Sequence, residues 1–361
     1  MDGRATIVDV ARLAGVSKGS VSVAFNDRPG VSPRTRARIL SAAAELSWQP
    51  SHRARALSVS RAFALGLVVA RPPSLLGADP FFPPFIAGVE TVLSERGQAL
   101  VLQVVLTEEA EKAGYRRLAR EGRVDGVFVS DVRRGDARIA LLEEIGLPAV
   151  TLNRPAVPTA FPAVCLDDRP GVTASVRHLA DLGHSSIAHV AGPDRYLHSA
   201  RRQQAWRHAL RATGLPEGPL ERTDFSAAAG AEATRALLGR SPRPTAIIYA
   251  NDAMAIAGLA VARDLGLVVP DDLSVVGFDD SSLSAHVHPA LTTVSTNAFD
   301  WGQRSASTLL DLVEGGGPVA DVELPEAELV VRDSTAPPPL VTRSANRSQR
   351  PRPHPSRSET R

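Results

Sequence analysis

Thr6 to Asn26 reads TIVDVARLAGVSKGSVSVAFN, and its residues fall into two short helices around a tight turn. Thr6 is placed to cap the first helix, Asp9 three residues on closes a capping-box-like exchange, and Val10, Leu13 and Ala14 share an apolar face. Gly15 ends that helix where a left-handed backbone is least costly, Val16 tucks under the corner, and Ser17 is set to cap a second helix running through Val21 to Phe25. The pattern is a helix-turn-helix. Its second helix opens with Ser17, Lys18, Gly19, Ser20 and Ser22, a small, polar, donor-rich end of the kind that enters a DNA major groove.

A helical hairpin with a glycine corner is common, so the neighbouring sequence decides the reading. Val31, Ser32 and Pro33 supply a cap followed by proline at the first helical position. RTRARILSAAAELSW then sets Ile39, Leu40, Ala43 and Leu46 at helical spacing. Three helices within residues 1–49 make a minimal all-α, DNA-reading headpiece.

The charge distribution agrees. Residues 1–62 carry ten Lys/Arg against four Asp/Glu and residues 336–361 six against one, while the whole chain is only +2, so basic ends flank an acidic middle. A basic headpiece fits a polyanion, because phosphate contacts release condensed counterions. No apolar run is long enough to span a bilayer and no apolar signal core opens the sequence, so a cytoplasmic protein without membrane contact is expected. Cys165 is the single cysteine and sits between Val164 and Leu166 in an apolar strand, which excludes internal disulfides and reads as core packing.

Residues 50–62 form a linker. SHRARALSVSR, with Leu57 its large apolar residue, has too little apolar surface to fold alone and is expected to order only with DNA and a second subunit present. From Phe63 onward, apolar strands alternate with amphipathic helices. Strands are expected at 65–69, 99–105, 126–130, 149–152, 163–166, 187–190, 246–250 and 274–278, and helices at 85–96, 109–120, 172–182, 201–213, 228–238 and 253–265. This alternation implies α/β architecture with parallel sheets covered on both faces, and the length suits two lobes. Residues 336–361, rich in proline, serine and arginine, read as a disordered tail.

DVARLAGVS, VSVAFN, RPGVSPRTRARIL and ELSWQPSHRARAL resemble the headpiece and hinge of the LacI/GalR family of bacterial transcription regulators. DPFFPPFIAGVE, VTLNRP, HLADLGHSSIAHVAG, IIYANDAMAIAG, VVPDDLSVVGFDD and HPALTTV extend the resemblance through a two-lobed, periplasmic-binding-protein-like core. The resemblance implies a repressor whose partners are operator double-stranded DNA and a small-molecule effector, a sugar or sugar derivative, without a cofactor. It implies an N-lobe of about 63–153 plus 292–335 and a C-lobe of about 154–291, within an effector-binding and dimerisation domain of 63–335. The leucine heptad of tetrameric members is not seen at the end of this chain, so a homodimer is expected.

Carried over residue by residue, the DNA contacts fall on Thr6, Ser17, Lys18, Gly19, Ser20, Ser22, Val23, Asn26, Thr35, Leu57 and Ser58, with Leu57 wedging into the minor groove at the operator centre. Effector contacts fall on Phe81, Asn153, Arg202, Phe225, Asn251 and Asp279. Asp and Asn would bridge hydroxyls, Arg would fork onto polar oxygens, and an aromatic face would cover a sugar ring. Two departures stand out. Val23 occupies a place where relatives often carry a polar or basic reader, and Ala205 precedes Trp206 where many have glycine. Base reading is thereby expected to rest on Lys18 against guanine and Val23 against a thymine methyl.

No P-loop, dinucleotide fingerprint, zinc-protease helix or nucleophile elbow is present. Asp167–Asp168, Asp271–Asp272 and Asp279–Asp280 are adjacent pairs that read as turns or caps, and His178, His184 and His189 lack ligand spacing. An enzyme is not expected. The alternative left open is a solute-binding protein of the same two-lobed fold, which would need a secretion signal and no headpiece.

Overall fold

A computed structural model describes residues 5–25, 29–49, 61–315 and 317–339. The expected contacts Asn26, Leu57 and Ser58, most of the expected hinge and the tail from residue 340 lie outside the described residues.

The headpiece consists of α1 (Ile7–Ala14), α2 (Lys18–Phe25) and α3 (Pro33–Glu45). Asp9 accepts the Thr6 backbone N–H at 3.0 Å and the Thr6 hydroxyl at 2.7 Å, which locks the start of α1. Gly15 adopts φ 60 and ψ 43, and the Val16 N–H reaches back to the Ala11 carbonyl at 3.0 Å, the bond pattern that closes a helix through a left-handed residue. Ser17 accepts the Ser20 N–H at 3.1 Å, and Ser32 accepts the Thr35 N–H at 3.2 Å in front of Pro33. The core joins Val10, Ala11 and Ala14 to Val21, Ala24, Ile39, Ala42 and Ala43, with the Phe25 and Trp48 rings edge to face at 5.2 Å. Two positions depart from the expected apolar faces: Leu13 is 46 % and Leu40 45 % exposed. Alanines 11 and 42 take their places inside, because three short helices crossing closely leave room for small side chains.

The chain divides into two compact units. The first comprises Met1–Pro170, headpiece included, with Gly192–Arg202 and Thr296–Ala327. Its strands are β1 (Ala64–Ala70), β2 (Ala99–Val105), β3 (Gly126–Val129), β4 (Ala149–Leu152), β5 (Ala163–Cys165) and β11 (Val322–Glu323), in the order β11-β5-β4-β3-β1-β2 and all parallel. Every residue of β3 and β4 is buried, as parallel strands covered on both faces must be. Its helices are α4 (Pro73–Ala78), α5 (Phe82–Glu95), α6 (Glu108–Arg120), α7 (Ala137–Glu144) and α12 (Ala298–Gly315). Helices α5 and α12 pack at backbone contact: a Cβ on Gly88 would lie 2.0 Å from the Phe299 carbonyl oxygen, and one on Gly302 2.1 Å from that of Phe85.

The second unit comprises Gly171–Ala191, Gln203–Ser295 and Glu328–Arg361. Strands β6 (Ile187–Ala191), β7 (Leu220–Arg222), β8 (Ala246–Tyr249), β9 (Ser274–Asp279), β10 (Thr292–Ser295) and β12 (Glu328–Val330) follow the order β12-β10-β9-β8-β6-β7, with β12 antiparallel on the edge. Helices α10 (Ala227–Leu238) and α11 (Asp252–Asp264) pack on one another, and α8 spans Arg169–Asp181. Helix α9 runs from Leu197 to Ala212.

This division corrects the lobe boundaries expected at residues 153 and 292. Strand β5 pairs with β4, Leu152 opposite Val164, so the chain stays in the first sheet until about Pro170. Strand β10 pairs with β9, Thr292 opposite Val276, so it belongs to the second sheet. Strand β7 and helices α4, α7 and α12 lie outside the elements expected from periodicity, and α5 starts at Phe82 with Pro83 and Pro84 in its first turn, where no intrahelical N–H is needed. Cys165 is a free, buried thiol. Among the described residues, no helix is long and apolar enough to cross a membrane.

Candidate DNA interface and effector site

At the start of α2, Ser17 just before it and Lys18 and Gly19 within it are exposed, while Ser20, Ser22 and Val23 are half-buried. The helix therefore presents its first turn outward, with Val21 and Ala24 turned into the core. Ser17 and Ser20 are tied to each other, their hydroxyls 3.0 Å apart, and the Thr6 hydroxyl is engaged with Asp9. Thr35, half-buried in the first turn of α3, has its hydroxyl 2.9 Å from that of Ser32. These polar groups are held in fixed geometry, and Lys18 extends from them as the cation of the α2 leading end.

Of the six expected effector residues, three lie in the first unit and three in the second. In the first, Asn153 directly follows β4 with φ 74, and its Oδ1 accepts the Leu166 N–H at 2.8 Å, so it shapes the turn into β5. Phe81 stands at the start of α5, half-buried, stacked on Phe85 at 5.3 Å and edge-on to Trp301 at 5.5 Å. Arg202 lies on α9 rather than at a strand end, and its Nε donates to Asp168 Oδ2 at 2.6 Å.

The same carboxyl edge carries charges that sequence reasoning missed. Arg71, the residue after β1, forks onto Asp131, two residues after β3, with both contacts at 2.7 Å, and also pairs with Asp79. Its guanidinium lies over the Phe82 and Tyr196 rings at 5.2 and 5.5 Å. Burial opposes ionisation of Asp131, but Arg71 outweighs it and holds the carboxyl below its usual range. Burial raises Asp79. The His198 imidazole, stacked on Tyr196 at 5.6 Å, is pushed down to about 3 by burial and by Arg202, and so stays neutral. A charged residue one or two positions past the end of a wholly apolar strand, as in VVAR and VFVSD, was the signal available in the sequence.

In the second unit, Phe225 (φ 75) and Asn251 are joined: Asn251 Nδ2 donates to the Phe225 carbonyl at 2.9 Å, and Asn251 Oδ1 caps α11 by accepting the Met254 N–H at 2.9 Å. Two bonds leave one amide hydrogen and one lone pair of the buried Asn251 side chain uncommitted. Asp279 ends β9 with φ 104, opposite Ser295. The loop after it is fixed by Asp252, another residue that sequence reasoning missed. Its buried carboxylate accepts the Ser281 N–H at 2.7 Å, the Ser284 hydroxyl at 2.6 Å and the Thr293 hydroxyl at 2.5 Å, and burial raises its pKa.

The remaining candidates are engaged in structure. Asp280 pairs with Arg332 at 2.6 Å and Asp167 with Arg169 at 2.7 Å. His178 reaches Thr335 at 2.9 Å, His184 meets Thr245 and Ser274, and His189 Nδ1 donates to the Ile248 carbonyl at 2.9 Å. Among the described residues, no three His, Cys, Asp or Glu side chains gather where they could hold a metal ion.

Comparison with known proteins bears on both sites. Residues 6–51 match the bacterial regulatory proteins of the lacI family, and residues 176–335 match the periplasmic binding protein-like domain. The chain is 36 % identical over 337 residues to the HTH-type transcriptional regulator CelR of Thermobifida fusca, covering 92 % of this chain and 98 % of that one. It is 31 % identical over 335 residues to the HTH-type transcriptional repressor CytR of Escherichia coli K12, covering 92 % and 96 %. A solved CelR–cellobiose complex superposes with a TM-score of 0.71 at 34 % identity, over 92 % of this chain and all of the other. The lac repressor dimer bound to operator and the anti-inducer ONPF superposes with a TM-score of 0.79 at 29 % identity, with the same coverage.

Proposed function

The chain belongs to the lacI family of bacterial regulatory proteins, and from that premise we propose that it is an operator-binding transcriptional repressor controlled by a bound sugar. The observation that carries this reading is whole-length similarity to two solved relatives. One is bound to operator DNA and the other to cellobiose, and each covers the headpiece and the body together. A free solute-binding protein has no use for a basic helix-turn-helix, so that alternative is not favoured.

In this reading two chains act as a dimer, and each headpiece places the leading turn of α2 in a major-groove half-site. Lys18 donates to guanine and Val23 meets a thymine methyl. Ser17, Ser20, Ser22, Thr6 and Thr35 supply phosphate and edge contacts, and Gly19 lets the backbone approach. Asn26, Leu57 and Ser58 join them by family resemblance, with Leu57 opening the central minor groove. By family resemblance, Phe81, Asn153, Arg202, Phe225, Asn251 and Asp279 take the sugar. A change of about 100-fold in operator affinity requires only about 2.7 kcal/mol of coupling between the sites. Relatives are named HTH-type transcriptional regulators and repressors.

The test is a fluorescence-anisotropy titration of the full chain against duplexes selected from a random pool, repeated with a carbohydrate set that includes cellobiose. Enrichment of a near-palindrome whose affinity at least one sugar shifts is the expected result. No enriched sequence over random competitor would overturn the repressor, and an operator that no sugar affects would overturn the sensor.

A further inference from the structure

On the first unit, the start of α6, the loop between β3 and α7, and the segment carrying Arg195 enclose a recess of about 200 Å³. Its floor is a closed ion network. Glu111 accepts from Arg133 Nη2 at 2.7 Å and Arg138 Nη1 at 2.8 Å, while Arg138 forks onto Asp136 at 2.9 and 2.6 Å. The loop is pinned to its neighbour by the Arg134 N–H on the Arg195 carbonyl at 3.3 Å and by bridge pairing of Arg133 with Tyr196. These charges cancel and the floor is rigid.

Above it stand Lys112, Arg134 and Arg195, which have no carboxylate within ion-pair distance among the described residues. Glu108 is the one wall carboxylate, 3.5 Å from Arg133 Nε, a buried nitrogen that makes no hydrogen bond. With the floor neutral, Glu108 offsets one of the three wall cations and leaves a net charge of +2. The positive charge left in the recess after Glu108 is counted favours an anion there.

We propose that this recess binds a phosphate-type oxyanion, either inorganic phosphate or the phosphate of a small phosphomonoester, as a second ligand site. None of the six expected effector residues lines it. Arginine forks match the paired oxygens of phosphate, and a dianion balances the charge left in the recess. The volume falls below the roughly 300–1,000 Å³ of pockets that enclose drug-sized ligands, so it suits a headgroup rather than a whole sugar. The three cations line one recess, whereas a DNA backbone requires them spread along a face.

The experiment is calorimetric titration of the full chain, free of DNA and sugar, with inorganic phosphate and separately with glycerol 3-phosphate, at constant ionic strength. Saturable binding is expected, and the tighter of the two names the source. Arg134→Ala/Arg195→Ala should weaken it about 100-fold, near tenfold for each charge-assisted contact removed, and Arg134→Lys should retain part of the affinity. Arg134→Ala alone, at an exposed position, guards against loss of the Arg195 contact with Tyr196. Absence of saturable binding by either anion, or equal affinity in the double variant, would overturn the site. So would a double variant that weakens only nonspecific DNA binding, which would reassign the patch to nucleic acid. Neither outcome depends on a sugar or an operator, so failure here leaves the proposed repressor standing.

Discussion

Asn251 holds the Phe225 carbonyl at 2.9 Å with its Nδ2 and caps α11 with its Oδ1, so one side chain fixes both a left-handed aromatic residue and the start of a helix. Two residues expected at the effector site are thus positioned by each other. In the proposed site, what Asn251 can offer a ligand is what remains after these two bonds.

Asn251→Ala should therefore cost more than a surface truncation. Losing an N-cap costs about 0.5–2 kcal/mol, and a buried carbonyl left without its donor adds about 1–3 kcal/mol. A large fall in melting temperature with loss of effector response is expected. Asn251→Asp keeps the cap, favoured by the helix dipole, but cannot donate to Phe225, so it should melt higher than the alanine variant while responding weakly. Thermal melts and effector titrations of the pair check this, and an unchanged melt for Asn251→Ala would contradict the buried bond.

Arg202 and Asp168 make the corresponding test in the first unit. Both side chains are largely enclosed, 11 % and 6 % exposed, and meet at 2.6 Å. Removing one partner leaves an uncompensated buried charge, a loss on the order of 3–5 kcal/mol for Arg202→Ala. Arg202→Lys retains the charge without the fork, so it should recover stability but not effector response. Equal stability of the two variants in urea titrations would show that the pair contributes little.

The contrast between these residues and the sequence reading is physical. Headpiece caps were legible because Thr6, Gly15, Ser17 and Ser32 act on neighbours within five residues, and the bonds at Asp9, Val16, Ser20 and Thr35 follow from that spacing. Leu13 and Leu40 were not, since three-helix packing rather than periodicity selects which apolar side chain is enclosed. Arg71 with Asp131 and Asp252 with Thr293 escaped notice because their partners lie 60 and 41 residues away. The lobe boundaries failed for the same reason, as β5 and β10 are assigned by strand pairing that no local pattern encodes.

His198 gives a pH signature. Its folded imidazole titrates near 3, against an ordinary value of 6.5. Below 6.5 the unfolded chain binds the proton and the folded chain does not, so stability is full above 6.5 and declines as pH falls toward 3. The decline is at most about 1.4 kcal/mol per pH unit, less because the residue keeps some contact with solvent. Relative to wild type, His198→Asn should gain stability between pH 8 and pH 4.5 in urea titrations. Parallel profiles for the two proteins would mean that His198 titrates normally.

The α5–α12 contact predicts a steric effect. Gly88→Ala places a methyl group 2.0 Å from the Phe299 carbonyl, so the helices must separate, and overpacking of this kind costs about 1–3 kcal/mol. Gly97→Ala, at φ 60 with nothing within 4 Å of the added carbon, has only backbone strain to meet, about 1–2 kcal/mol. A greater loss of melting temperature in Gly88→Ala is expected, and the reverse order would place the constraint in the turn.

On the recognition helix, stability and reading should separate. A Cβ at Gly19 meets only Ser17 Oγ, at an ordinary 3.5 Å, so Gly19→Ala should stabilise the headpiece by up to about 1 kcal/mol through helix propensity alone. The added methyl also stands on the exposed leading turn, where it keeps the backbone from a close groove approach, so operator affinity should fall while melting temperature rises. Val23→Arg, at a half-buried position one turn on, should instead change which sequence is preferred, by about 1–3 kcal/mol per altered base contact. Operator selection on both variants checks the pair. An unchanged preferred sequence for Val23→Arg would remove Val23 from base reading, and unchanged affinity for Gly19→Ala would show that the α2 leading turn stands off the DNA.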